Sequence, residues 1–426
     1  KMRRYAALWL LLIAYLLLRI RVLGAFTPVP SARQMSADAV IFSAIALAGH
    51  YLEKMIWPFH LCAFYVFPNA FATLLPRIIA GCAALIVCAG IMIYFWNRER
   101  AVCFGFTWFF VTLAPVLNAR WMPTNAFAER YLYLPSVGLC WVGAWLGWRL
   151  WRAAKATQAW RQAFAAGACA VAIVLIVRIV TRNPVWKNDL IFYTETLKAS
   201  PGAADMRNNL GMYYWDRQNL EAAGREWEQA LQIEPRATYI LDNLGLLRIK
   251  QKRYEEAVVY FQRSLDITLK DADAHTGLGE AYAKMGLRQK AESELLTAVA
   301  LAPLDVRPLV HLGELYFDEG KYDLAEKEFL ASIRALPTLR GYFGLGLIHW
   351  VRGDRAGAEQ AFKTALRLDP SDGRPYFMLG LLYGSMGRTA DAIREYEAGL
   401  KVDPTNHTAL VALAKLKGQA TASKSP

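Results

Sequence analysis

A Leu-Gly pair returns six times in the second half of the chain, with its glycine at Gly211, Gly245, Gly279, Gly313, Gly346 and Gly380. The steps between them are 34, 34, 34, 33 and 34 residues. Twelve residues after each glycine stands an alanine: Ala223, Ala257, Ala291, Ala325, Ala358 and Ala392. Four further on comes a large apolar residue: Trp227, Phe261, Leu295, Phe329, Phe362 and Tyr396. Pro235, Pro303, Pro337, Pro370 and Pro404 close five of the six units, with Leu269 in the second. Such a period marks stacked supersecondary units, each unable to bury its apolar face alone. The spacing predicts two helices per unit. Gly and Ala lie where the pair crosses closely, and the bulky residue fills the space toward the next unit.

This is the tetratricopeptide pattern, and it predicts a right-handed α-solenoid over residues 204–406. HTALVALAKLKG (407–418) reads as the capping helix that an open stack needs, and 419–426 as a disordered tail. Repeats of this kind bind polypeptides along the concave face, lined by the first helix of each unit. The helical face that follows the Leu-Gly pair predicts a lining of Met212, Trp215, Leu246, Ile249, Phe317, Phe343, Leu347, Trp350 and Phe377. Some of these could equally be packing residues, one position out of register. The glycines of GYFGLGLIHW follow no strand, which argues against a nucleotide loop.

The first half has another character. The 426 residues are 55% hydrophobic with a net charge of +13, and the mean hydropathy is +0.18. Residues 1–183 hold 18 Lys/Arg against four acids, Asp38, Glu53, Glu99 and Glu129, so all of the excess positive charge lies there. These basic residues separate long apolar runs instead of forming a stripe on a polar helix, which fits membrane loops and excludes a nucleic-acid partner. About 20 apolar residues cross a bilayer. Six runs qualify, at 5–23, 38–57, 77–96, 101–118, 131–151 and 163–181, giving a polytopic domain over 1–182 and a linker helix over 183–203. The chain is therefore expected to be all-α, with membrane helices followed by the solenoid.

Arg19, Arg21 and Arg33, then Arg98 and Arg100, then Arg149, Arg152, Lys155 and Arg161 outnumber the basic residues of the opposite connections. The positive-inside rule makes the richer set cytoplasmic and places the repeats outside. With its Ala/Arg-rich composition the chain reads as a bacterial inner-membrane protein with periplasmic repeats; in a eukaryote the same topology gives luminal repeats at the ER. The six cysteines, Cys62, Cys82, Cys88, Cys103, Cys140 and Cys169, lack CxxC spacing and read as small packing residues.

No HExxH, GxSxG or Walker loop is present, and His50 and His60 have no local metal partner. One stretch could carry chemistry: Glu129-Arg130-Tyr131-Leu132-Tyr133, at the start of an apolar run. Charges are expensive inside a bilayer. Either Glu129 and Arg130 sit at the interface with Tyr131 and Tyr133 as aromatic anchors, or Arg130 grips a phosphate through its planar fork with Glu129 in support.

NAFAERYLYLPSVG (125–138) resembles the AERxLYLPSxG segment of the transmembrane and tetratricopeptide-repeat-containing protein O-mannosyltransferases and their bacterial relatives. YLLLRIRVLG (15–24), KMIWPFHLC (54–62) with Tyr65 and Pro68, and RNPVWKNDLIFYTETLKASPGAADMRNNLG (182–211) agree in kind and order. The resemblance implies a GT-C-type membrane glycosyltransferase that moves a sugar, mannose in the animal members, from a polyprenyl-phosphate donor to a polypeptide acceptor. It implies donor-phosphate binding by Arg130 and Tyr131, a support role for Glu129, and metal- or base-assisted inverting transfer. The family's acidic pair has no counterpart here, and Phe64 precedes Tyr65 where an acid is common. The chain is thus expected to be the later part of the transferase domain with its repeats, inactive on its own. The alternative is a non-enzymatic, membrane-anchored scaffold.

Overall fold

The computed structural model describes residues 37–56, 71–114, 117, 129–153 and 157–422, and every element among them is helical. The expected first span (5–23), the turn after Ile56 with Tyr65 and Pro68, and the connection 118–128 lie outside the described residues. The chain forms two compact units, 1–233 and 234–426.

In the first unit, α1 (Ala37–Ile56) packs on α2 (Phe71–Phe95), and α3 (Arg100–Leu113) on α4 (Tyr133–Ala153), with α2 also touching α3. Both pairs cross through glycines. A Cβ on Gly49 would lie 2.5 Å from the Gly81 Cα, and one on Gly105 would lie 2.5 Å from the Gly138 carbonyl oxygen. Backbones therefore meet directly, as small residues allow between apolar helices. Leu47, Tyr51, Phe109 and Leu113 fill the shared interior.

The apolar runs predict six spans. Among the described residues, two helices are both long and apolar enough to cross a membrane, Leu75–Phe95 and Gln158–Trp186. The expected span 101–118 is a helix of 14 residues ending at Leu113, roughly 21 Å at 1.5 Å per residue. That falls short of a hydrocarbon core of about 30 Å. Glu53 and Lys54 interrupt α1, and α4 dilutes its apolar residues with glycine, Arg149 and Arg152. Helix α5 (Gln158–Arg182) buries none of its residues and runs into a 3-10 turn at Asn183–Trp186.

Next come α6 (Asp189–Ala199), α7 (Ala204–Asp216) and α8 (Leu220–Ile233). The Asn188 side chain caps α6 by accepting the Ile191 N–H at 2.9 Å. Helices α7 and α8 are the first repeat, where Trp227 packs against Gly211 and donates to the Asn208 carbonyl at 3.1 Å.

The second unit holds the other five repeats as α9 (Thr238–Lys250) with α10 (Tyr254–Ile267), α11 (Ala272–Lys284) with α12 (Arg288–Leu301), α13 (Val306–Asp318) with α14 (Tyr322–Ala335), α15 (Leu339–Val351) with α16 (Arg355–Leu368), and α17 (Gly373–Ser385) with α18 (Thr389–Val402). Helix α19 (His407–Ala422) packs on α18 and continues past residue 418. All six pattern alanines are fully buried. Each large residue lies over its own repeat's glycine: a Cβ would meet Phe261 at 2.5 Å from Gly245, Phe329 at 2.7 Å from Gly313, and Phe362 at 2.5 Å from Gly346. Two of these rings are also clasped by a glycine of the following unit, Phe261 by Gly277 and Phe329 by Gly344. Gly344 and Gly346 of the GYFGLG stretch are thus packing surfaces for aromatic rings, whereas Gly341 faces Ser332 and Ile333.

The turn inside each repeat needs one left-handed residue. Gly286, Gly320, Gly353 and Gly387 supply it with φ of 76, 73, 80 and 72°, whereas Gln218 and Lys252 adopt it at 60 and 61°. Only glycine does so without steric cost.

Candidate functional site

Curvature decides which face of the second unit can hold a partner. Successive first helices touch one another, α9 with α11, α11 with α13 and α13 with α15, whereas the second helices of neighbouring repeats make no comparable contact. The first helices therefore form the inner row of this stack.

On that row, side chains from neighbouring repeats are tied by charge. Six residues before the Leu-Gly glycine, three consecutive repeats carry Arg307, Arg340 and Arg374. The Arg340 fork reaches back to α13 and donates to both Glu314 carboxylate oxygens at 2.8 and 2.7 Å, the bidentate geometry that favours arginine over lysine. Arg307 pairs with Asp273 of α11 and donates to Asp305 at 2.6 Å. Arg374 donates to Asp372 at 2.6 Å and lies 5.2 Å over the Phe343 ring.

His311 sits among these groups, 3.7 Å from Glu280 and 3.7 Å from Glu314. Both distances are too long for a hydrogen bond. Burial, with Arg340, Lys284 and Arg307 around it, pushes its pKa down to about 3, so the ring is neutral at physiological pH. Burial raises the Glu280 pKa, with Arg340 and Lys284 acting against that shift. Further along the row, Asp242 is nearly buried and its Oδ1 has no hydrogen-bond partner. Desolvation, with repulsion from Asp271 and Asp273, pushes its carboxyl up to about 7.

Of the residues expected to line the groove, Met212 and Leu246, each following a Leu-Gly pair, are exposed. Leu381, in the same place in the last repeat, is 47% exposed. Trp215 leans on Trp227 with ring centres 5.8 Å apart, and Ile249 and Phe317 pack against the central core. Phe343, Leu347 and Trp350 pack around Phe362, and Phe377 lies against Gly399. The inner face is therefore apolar at Leu246 and Leu381 and charged between them. The apolar stripe alone does not reveal this network; its visible signal in the sequence is arginine at one repeat position in three successive units.

In the first unit, Glu129–Leu132 forms a 3-10 turn that leads into α4. Tyr131 packs against the interior beside Leu132, while the side chains of Glu129 and Arg130 lie outside the described residues. Among the described residues, no cluster of three His, Cys, Asp or Glu could hold a metal ion.

Tetratricopeptide-repeat family models match residues 193–240, 276–340, 310–373 and 373–406, and a TPR-repeat model matches 245–286. The second half of the chain thus consists of tetratricopeptide repeats. No curated protein matches the chain. Among solved structures, the chain is similar to the Cut9–Hcn1 hetero-tetramer of the APC/C at 18% identity and a TM-score of 0.50, over 54% of this chain and 46% of that one. It therefore spans less than half of that relative's length, and the likeness is one of fold. TTC0263, a thermophilic TPR protein of Thermus thermophilus, aligns at 26% identity and a TM-score of 0.38 over 42% of this chain and 98% of that one. Pseudomonas aeruginosa pilF aligns at 17% identity and a TM-score of 0.42 over 51% and 97%.

Proposed function

We propose that this protein is a membrane-anchored tetratricopeptide-repeat scaffold that holds an extended polypeptide along the inner row of first helices. The observation that carries the reading is that row itself, with leucines at Leu246 and Leu381 separated by an ordered charged strip of Arg307, Glu314 and Arg340. Extended chains dock by pairing apolar anchors with charge complementarity that fixes register. Helix α5 supports the anchor, because Val171, Ile173, Ile176, Val177 and Val180 are exposed on a helix that buries nothing. Such a surface is stable in lipid and a liability in water. The repeats would face the periplasm of a bacterial inner membrane. Arg340→Glu places like charges opposite Glu314 and should weaken polypeptide binding by about tenfold. Pull-down by the membrane-embedded full chain at unchanged strength would remove the row from the binding surface.

A finer reading rests on the resemblance of NAFAERYLYLPSVG and its companion segments. In it the scaffold presents the polypeptide to a glycosyl transfer from a polyprenyl-phosphate sugar, with Arg130 and Tyr131 at the donor phosphate and Glu129 in support. The family's acidic pair would come from outside the present sequence. Arg130→Gln in membranes competent for transfer should abolish sugar incorporation while leaving membrane insertion intact. Unchanged incorporation would leave the scaffold alone.

A further inference from the structure

The connection between α2 and α3 and the C-terminal end of α4 meet at one end of the helix cluster. Glu99 accepts from Arg149 Nη1 at 2.6 Å and from Trp145 Nε1 at 3.3 Å, and Phe95 packs edge-on to Trp145 at 5.4 Å. These contacts frame an open cleft of about 650 Å³, lined by Tyr94, Arg98, Glu99, Trp145, Arg149 and Leu150 among others. The lining carries two guanidinium groups and one carboxylate, and that carboxylate is engaged by Arg149. Arg98 lies 4.2 Å over the Tyr94 ring, while Glu99 of the same lining turns to Arg149 and Trp145. One wall is apolar and exposed, through Leu146 and Leu150, and Ile93 carries an exposed apolar surface up the side of α2. Trp96 and Trp148 stand nearby as exposed indoles, with Arg152 4.3 Å over Trp148, as at a bilayer interface.

We propose that this cleft binds the phosphate of an anionic phospholipid headgroup. Arg98, held by Tyr94, donates its fork to the phosphate oxygens and carries the cleft's net positive charge. Arg149, compensated by Glu99, offers further guanidinium N–H donors, and the acyl chains follow the apolar wall onto α2. A net positive cleft at the end of the span-length helix α2 favours an anionic headgroup over a zwitterionic one. The proposal rests on the membrane reading above. It concerns the opposite end of α4 from the Glu129–Leu132 turn, so it is independent of the transferase reading.

The test is native mass spectrometry of the full chain released from phosphatidylcholine bilayers, titrated with phosphatidylglycerol. The wild type should retain one phosphatidylglycerol selectively, and Arg98→Gln should weaken that affinity about tenfold, the effect of losing one charge-assisted contact. Arg98→Lys should recover part of it. Arg161→Gln, which removes one charge from the same side, should leave it within about twofold. Equal losses in the Arg98 and Arg161 variants would reduce the effect to diffuse attraction and overturn the site. Equal retention of phosphatidylcholine, or displacement of the lipid by inorganic phosphate alone, would also overturn it. Resistance to carbonate extraction is read separately: a chain released by carbonate refutes the membrane reading and this site together, whereas an embedded chain without phosphatidylglycerol preference refutes the site alone.

Discussion

Asp242 offers a prediction whose size follows from its surroundings. Its carboxyl titrates at about 7 in the folded protein against 3.8 as a free side chain. The buried Oδ1 has no hydrogen-bond partner, and the Ser264 hydroxyl beside the carboxyl opposes the shift only in part. Because the folded state holds this proton more tightly than the unfolded chain, the second unit is most stable with respect to this group below about pH 4. That stability is lost as pH rises toward 7, and the loss is complete above it. A difference of about three pKa units corresponds to roughly 4 kcal/mol as an upper bound at 1.36 kcal/mol per unit. Local relaxation and water entry reduce this to about 1–3 kcal/mol. Asp242→Asn keeps the shape and cannot ionise. At pH 8 it should stabilise α9 to α11 by about 1–3 kcal/mol, and at pH 4 the gain should shrink toward zero. Amide hydrogen exchange of the full chain, corrected for intrinsic pH dependence, reads both differences. A variant no more stable than wild type at pH 8, or a gain that does not change with pH, would refute the argument from burial.

Three further expectations concern packing and turns. Gly344→Ala should destabilise the α14–α15 interface by about 1–3 kcal/mol, because the added methyl collides with a Phe329 ring that is 1% exposed and already pressed against Gly313. Combining it with Phe329→Leu should recover part of that loss in a double-mutant cycle, and strict additivity would contradict the contact. Lys252→Gly relieves a left-handed residue at φ 61° and should add about 0.5–1 kcal/mol, seen as slower exchange in α9 and α10; faster exchange would contradict it. In the first unit, Gly138→Val should separate α3 from α4, because even a Cβ there reaches the Phe109 backbone at 3.0 Å. Loss of a Trp108–Leu134 proximity crosslink would report the separation.

What the sequence made legible follows repetition. The six glycine, alanine and large-residue positions could be read directly because every unit repeats one packing problem, and all of them meet in the repeat cores. The left-handed turn residue was just as periodic, seven positions after each Leu-Gly glycine. Gln218 and Lys252 occupy it in the first two units and hid the rule. The groove was harder to read, since one helical stripe serves two purposes. Directly after the glycine, Met212, Leu246 and Leu381 stay open although Leu347 packs, whereas residues four after it, such as Trp215 and Phe317, lean into the partner helix and pack on Trp227 and Tyr322. Periodicity cannot separate the two without the crossing geometry. The charged strip escaped because Arg307 and Arg340 act across repeats, on Asp273 and Glu314, and such pairing appears only once the helices are stacked. Of the six apolar runs, two form helices among the described residues that are long and apolar enough to cross a membrane, and α3 is apolar enough but ends after 14 residues.

The central claim is that a polypeptide occupies the inner row of the second unit. Its most direct test is site-specific photo-crosslinking in intact membranes, with the probe at Leu381 on α17 or at Leu330 on α14. Both positions are exposed, and they sit on the inner and outer helices of the stack. The expected result is a polypeptide adduct from position 381 that falls when Arg340→Glu is added, with none from position 330. Equal labelling from both positions, or a 381 adduct indifferent to Arg340, would contradict the account.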